Sequence, residues 1–233
     1  MSDKHLSSQF DAELSAISAR VLEMGGLVEA QVAQAVYALT HFSHVTAEQV
    51  IRQEHRVNQM EIDMDRDLST VIARRQPTAR DLRLLIATSK TIGNLERVGD
   101  EAARIARTVQ RVTNFGMSGR LPIADVAFEA GLAIASLRRA LDAFARLDAL
   151  QALQVIKQDS EIDAEFDGLM RKLITYMMED PRTISACIDL VFVVKALERV
   201  GDHAKNIAEQ VIYVVKGADV RHTPPDSVET VVQ

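Results

Sequence analysis

Two segments of this chain carry the same six residues, Leu95-Glu-Arg-Val-Gly-Asp100 and Leu197-Glu-Arg-Val-Gly-Asp202. Each holds a pair of acids four residues apart: Glu96 with Asp100, and Glu198 with Asp202. On a helix, residues at this spacing stand one above the other on one face. Glu96 and Asp100 flank the apolar stripe of Leu82, Leu85, Ile92 and Ala103, while Asn94, Arg97, Glu101 and Arg104 point the other way. Like charges at i, i+4 repel by a few tenths of a kcal/mol, and holding them near apolar surface costs more unless a positive group compensates. Two further pairs share the spacing: Glu54 with Asn58, and Asp159 with Asp163. If the helices bearing these pairs pack side by side, each half of the chain gathers about four oxygen ligands. Carboxylate and amide oxygens suit hard or borderline cations such as Mg²⁺, Mn²⁺ or iron. Glu61 and Asp65 extend the first acidic stripe, but Phe166 and Met170 take the corresponding places in the second half.

A lone acid pair on a helix is usually solvated, and ion pairs to Arg97, Arg199 or other arginines would satisfy the same carboxylates. What sets these pairs apart is their duplication against apolar stripes. Gly99 and Gly201, each about 1 kcal/mol less favourable than Ala inside a helix, point to close approach of a neighbouring helix. His203 reads as a surface histidine, since its counterpart Glu101 lies on the outward side; His41, His44 and His55 form no i, i+4 pair among themselves.

The elements that position these pairs follow from apolar spacing. Phe10, Leu14, Ile17, Val21, Met24, Val28, Val32, Val36 and Leu39 recur as one helical stripe, unbroken by Gly25-Gly26. Thr46 with Gln49 has the form of a capping box and predicts the start of a second helix, which runs to Arg75 and stops at Gln76-Pro77. A third runs from Thr78 and Asp81 to Val112, before a break at Asn114, Gly116, Ser118, Gly119 and Pro122. Helices over 123–147, 149–178 and 183–216 follow, the last two separated by Glu179-Asp180-Pro181. Val50–Asn58 aligns with Val155–Asp163 at an offset of 105, Pro77 with Pro181 at 104, and the two hexapeptides at 102. A drift of so few residues marks an internal duplication. The predicted fold is all-α: a tandem repeat of two three-helix bundles, six long helices in all. The first bundle spans residues 1–115, the second 120–216, and a mobile tail 217–233, in which Val228, Val231 and Val232 offer an apolar set that could dock.

Composition agrees with this reading. Apolar residues make up 47% of the 233 residues and aromatics 4%, with no Trp, as suits long helices better than sheets. The net charge of −6 and the scattered basic residues argue against nucleic-acid binding. One cysteine, Cys187, excludes a disulfide framework and reads as a small buried apolar side chain. There is no secretory pattern at Met1–His5 and no apolar run of membrane-spanning length, so the chain reads as cytoplasmic without a membrane span. No glycine-rich phosphate cradle is present, and Arg74, Arg75, Arg80 and Arg83 form a solvated or partner-facing cluster.

The duplicated hexapeptide, the Arg75-Gln-Pro77 break and Asp81-Leu-Arg83 together resemble the PhoU family, the phosphate-specific transport system accessory proteins. The likeness covers nearly the whole chain. Its acidic E/D-x-x-x-D motif falls on Glu96/Asp100, Glu198/Asp202 and Asp159/Asp163, and departs from the pattern at Glu54/Asn58, where an amide replaces the second acid. The resemblance implies iron, zinc, manganese or magnesium at these motifs. It also implies a homodimer and a non-catalytic negative regulator of phosphate uptake and phosphate-starvation signalling. The implied partners are the ATPase of the phosphate ABC transporter and the phosphate sensor histidine kinase, which would recruit the protein to the inner face of the membrane.

Two other readings compete on the residues themselves. A carboxylate-bridged di-metal enzyme needs Glu-x-x-His pairs. None of the six histidines has a Glu three residues before it. A helical interaction module without metal would leave the acids in ion pairs.

Overall fold

The structure is a computed structural model that describes residues 8–113 and 121–233. Six long helices carry the chain: α1 (Ser8–Thr40), α2 (His44–Arg75), α3 (Ala79–Thr113), α4 (Ile123–Arg146), α5 (Ala149–Glu179) and α6 (Ile184–Lys216). A single 3-10 turn, Pro181–Thr183, joins α5 to α6, and no strand occurs among the described residues. Of the predicted central break, Asn114, Gly116, Ser118 and Gly119 lie outside the described residues.

The stops are those that local chemistry dictates. Gln76 enters the left-handed region (φ 47°) just before Pro77, which cannot continue a helix. Gly217 (φ 73°) ends α6 with its N–H on the Tyr213 carbonyl. The predicted start of α2 is displaced. Ser43, in extended backbone, is the N-cap and accepts from the Thr46 N–H, so Thr46 lies inside the first turn. Asp148 plays the same part for α5, accepting from the Leu150 and Gln151 N–H groups. Phe42 and Leu147, just before these caps, both adopt positive φ (51° and 50°) at an offset of 105. The duplication thus extends to the turns.

Helices α1–α3 pack as one bundle and α4–α6 as another. They join along two seams, α3 against α6 and α1 against α4, and a single apolar core runs through both halves. The α3–α6 seam is antiparallel. Arg111 donates to Asp189 at 2.8 Å, Arg199 to Glu101 at 3.0 Å, and His203 meets Asn94 at 2.9 Å, in descending order along α3 and ascending order along α6. Among the described residues, α2 packs on helices of its own half alone. The mid-helix glycines do mark close approach. A Cβ at Gly99 would stand 3.3 Å from Val57 of α2, and one at Gly201 would stand 3.1 Å from Ile162 of α5. These are the contacts that bring the acid-bearing helices of each half together.

The segment after Gly217 is not a mobile tail but docks through the valines that offered an apolar set. It forms a seventh helix, α7 (Pro225–Val232), laid on α5 and α6. Val220, Val228 and Val232 are buried, and Lys157 of α5 donates to Glu229 at 2.7 Å. Valines at 228, 231 and 232 cover one side of the short helix, and burying them offsets the ordering of the chain.

Replacing Gly201 by Val drives two methyl groups into Ile162. We expect a loss of about 1–3 kcal/mol in denaturant unfolding. The loss shrinks when Ile162→Ala is introduced in the same chain, and an unchanged penalty there would show that the glycine serves something other than this contact.

Candidate functional site

In the first half, acids of α2 and α3 lie near enough to feel one another's charge. The Glu96 carboxyl is pushed up from its ordinary value by burial and then by Asp100, Glu61 and, more weakly, Glu54. Glu61 therefore belongs to this group, although it has no acidic counterpart in the second half. Its own carboxyl is raised by burial and by Asp65. Cations oppose the crowding. Arg107 donates to Glu54, and Arg97 stands 3.4 Å from Glu96 and 3.6 Å from Asp100. The buried Asn58 Oδ1 has no hydrogen-bond partner among the described residues.

The second half repeats the arrangement with lysines as counter-ions. Asp159 is buried and accepts from Lys205 at 2.6 Å, while Glu198 accepts from Lys195 at 2.6 Å. Lys195 also lies 5.1 Å from the Phe166 ring. Although Asp202 is exposed on one side, partial desolvation and then Glu198, Asp159 and Asp163 push it up to about 6. Asp163 is raised in the same way, by desolvation and by Asp159. The Glu198 Oε2 is buried without a partner among the described residues.

The donors are all oxygens, carboxylates crowd one another in both clusters, and Asn58 Oδ1 and Glu198 Oε2 are buried without a hydrogen-bond partner among the described residues, which is chemistry that would suit a cation. The geometry is open, however. Among the described residues no three His, Cys, Asp or Glu side chains stand close enough together to hold a metal ion. Glu54, Glu96 and Asp100 are held by arginines, and Asp159 and Glu198 by lysines, instead.

Three residues differ from their sequence reading or were missed by it. Glu101 is not outward but buried, paired with Arg199 at 3.0 Å and Arg104 at 3.1 Å. His203 is not a surface histidine. It is half-buried on the α3–α6 seam against Asn94, and burial, followed by Arg97 and Arg199, pulls it down to about 4, so it is neutral at pH 7. At an offset of 102, Glu101 corresponds to His203 and Arg97 to Arg199, so the seam pairs one arginine with an acid and sets the other beside a neutral imidazole. The third is Glu129 of α4, only 1% exposed, with neither oxygen hydrogen-bonded among the described residues. Burial, then Glu198 and Glu165, push it up to about 8. Its signal was present in the sequence: Val126, Glu129, Ala130, Ala133 and Leu137 occupy one helical stripe, and Glu129 is the charged member of it.

Two three-helix units joined along their antiparallel third helices, each with acids on its second and third helix, define a class of duplicated helical-bundle proteins. The sequence profile of the PhoU domain matches residues 21–109 and 129–211, one match per unit. A Burkholderia protein described as a phosphate-specific transport system accessory protein PhoU homolog is 50% identical over 227 residues, covering 97% of both chains. The Escherichia coli K12 phosphate-specific transport system accessory protein PhoU is 40% identical, over 97% of this chain and 93% of its own. The crystal structure of PhoU from Pseudomonas aeruginosa superposes with a TM-score of 0.85 at 44% identity, covering 90% of this chain and all of the other. The chain belongs to the PhoU family, whose members named here are accessory proteins of phosphate transport, and its role lies in the regulation of that transport.

The raised carboxyl of Glu129 has a consequence for stability. A folded-state value near 8 lies above the ordinary 4.5, so the folded chain takes up a proton as pH falls through about 8 while the unfolded chain does not. Stability therefore rises from about pH 9 to about pH 7, where burial of the charged form is relieved. Below about pH 6.5 the lowered His203 acts in the opposite sense, because only the unfolded chain gains that proton. In chelator, melting temperature should increase from about pH 9 to about pH 7, with roughly 2–4 °C for each kcal/mol. The increase should vanish in Glu129→Gln; if it persists there, another group is responsible.

Proposed function

We propose that this chain is a cytoplasmic negative regulator of phosphate uptake and phosphate-starvation signalling. It acts by contact with the ATPase of the phosphate ABC transporter and with the phosphate sensor histidine kinase, not by catalysis. The observation that carries the reading is full-length similarity, over 97% of this chain, to accessory proteins of the phosphate-specific transport system. No described helix is long and apolar enough to cross a membrane, and recruitment to the inner membrane face would come through the partners. The surface supports a contact role. Ile184, Ile188 and Phe192 stand exposed at successive i, i+4 positions on α6, and Ile174 and Met178 are exposed on the neighbouring α5. A homodimer is part of the same reading.

Metal binding at the acid pairs completes the proposal. Glu54, Asn58, Glu96 and Asp100 would hold one cation, and Asp159, Asp163, Glu198 and Asp202 another, drawn from iron, zinc, manganese or magnesium. A cation supplies the positive charge that the crowded carboxylates lack. Asp159 and Glu198 would turn from Lys205 and Lys195, and Glu54 from Arg107, to provide ligands. The ion pairs these acids already make favour a second reading, an interaction module that carries no metal.

Deleting the gene should derepress phosphate-starvation reporters in high phosphate, and unchanged reporter output would count against the regulatory reading. Elemental analysis separates the two readings of the acids. Protein purified without chelator should carry metal, and Glu96→Ala/Asp100→Ala and Glu198→Ala/Asp202→Ala should each lose part of it. Metal-free wild-type protein under all loading conditions would leave the regulator as a plain interaction module.

A further inference from the structure

Helices α5 and α6 run antiparallel as neighbours. Lys205 donates to Asp159 at 2.6 Å, Lys195 lies 5.1 Å from the Phe166 ring, and the Thr183 hydroxyl donates to the Tyr176 carbonyl at 3.0 Å. Ile184, Ile188, Phe192, Lys195, Glu198 and Asp202 succeed one another at steps of three or four residues and share one face of α6. Asp163, Phe166, Met170, Ile174 and Met177 do the same on α5. The combined face is acidic at one end, where Asp163 and Asp202 are exposed. It is apolar at the other, where Ile174, Met178, Ile184, Ile188 and Phe192 are exposed, and the half-buried Phe166 and Met170 lie between the two ends. The first half differs along the same track. At offsets of 105 on α2 and 102 on α3, the counterparts of Phe166, Met170, Ile174 and Phe192 are Glu61, Asp65, Ser69 and Lys90. There Ser89 donates to Asp65 at 3.1 Å and Lys90 lies 5.8 Å from the Tyr213 ring. The fold accepts polar side chains on this track, so packing does not require the apolar ones of the second half. A contiguous apolar patch kept in water marks a surface made to be covered.

We propose that the α5–α6 face is the docking groove for an amphipathic helix of a partner protein, one whose apolar stripe gives way to lysines or arginines at one end. The inference rests on the contact reading above and names the chemistry of the partner. A groove between two helices takes a third helix through anchors spaced i, i+4 and i+7. Ile184 to Asp202 covers five turns of α6, about 27 Å, so the partner helix is about five turns long. Charge sets its direction. Lys195 and Lys205 are taken by Glu198 and Asp159, which leaves Asp163 and Asp202 without an ion pair among the described residues. Glu161 and Asp167, exposed on α5, add to the negative end. Cationic side chains of the partner complement that end while its apolar stripe covers Ile188 and Phe192. A second copy of this chain fits less well. Two-fold pairing about Ile188 sets the acidic end of one copy near Glu179 and the Asp180–Arg182 pair of the other, where the net charge is also negative.

The probe is a fluorescein-labelled helical peptide of about five turns, with leucines at i, i+4 and i+7 in its first half and lysines on the same face of its second. Its binding to the full-length protein is read by fluorescence anisotropy in chelator, so that metal plays no part. A second peptide carries glutamates in place of the lysines. We expect the lysine peptide to bind, and the glutamate peptide to bind roughly tenfold or more weakly at low salt, with the difference shrinking as salt is raised. Ile188→Ser/Phe192→Ser should weaken the lysine peptide by roughly tenfold or more, and Asp163→Asn/Asp202→Asn should narrow the gap between the two peptides. Ile62→Ser, which removes an exposed apolar side chain from α2, should leave both affinities as they are. No binding of the lysine peptide, equal binding of the two peptides, or an affinity unmoved by Ile188→Ser/Phe192→Ser would each overturn the inference. So would sedimentation showing a wild-type dimer that Ile188→Ser/Phe192→Ser dissociates, because a second copy would then be the occupant. Reporter derepression in the deletion strain tests the regulatory reading by itself, so that reading stands or falls separately.

Discussion

Antiparallel packing of α3 on α6 is the constraint from which the rest of the molecule follows. It brings two copies of one sequence together about a local two-fold relation, so that Arg199 meets Glu101 and Arg97 stands beside His203. Because the far sides of both helices are occupied by each other, α2 and α5 must pack on the flanks. There Gly99 and Gly201 admit Val57 and Ile162 at close range. The acids at 96, 100, 198 and 202 lie between those flanks and the seam. Their position is a consequence of helix packing, and their crowding is the electrostatic cost of it.

Each cluster balances that cost differently. The first half uses arginines, Arg97 and Arg107, on largely exposed guanidinium groups, where ion pairs are worth little. The second uses Lys195 against Glu198 and Lys205 against the buried Asp159. Lysine ammonium is a compact, strongly hydrated point charge on a flexible stem, where guanidinium is a planar fork. Repetition of the fold therefore does not entail repetition of the electrostatics. Divergence has collected at single positions, Asn58 against Asp163, Met24 against Glu129, and Glu101 against His203.

The seventh helix shows the same economy of surface. Val228 and Val232 find an apolar strip on α5 that the three-helix unit leaves uncovered, and Lys157 with Glu229 sets the register. The first half has no equivalent appendage among the described residues, which adds a further difference between the two units.

Much of this was legible in the residues alone, because it rests on local rules. Helix ends at Gln76-Pro77 and Gly217, the unbroken stripe from Phe10 to Leu39, and the duplicated hexapeptides all follow from backbone chemistry and periodicity. The i, i+4 acid pairs follow too, since helix geometry alone puts them on one face. The cap at Ser43 was misplaced by three residues, because Ser43 and Thr46 both offer a hydroxyl and only the extended backbone at Ser43 decides between them. What periodicity could not decide was the fate of the face opposite the apolar stripe. Glu101 and His203 look solvent-facing from their own helices, and only the arrival of the partner helix across the seam buries them. Glu129 is the converse case: its stripe is visible, but whether a buried acid meets a cation or two other acids depends on which side chains α5 and α6 deliver beneath it. Local sequence determined where the helices run and which oxygens they carry; the tertiary packing alone decided which charges must share a low-dielectric space, since that depends on residues distant in the chain.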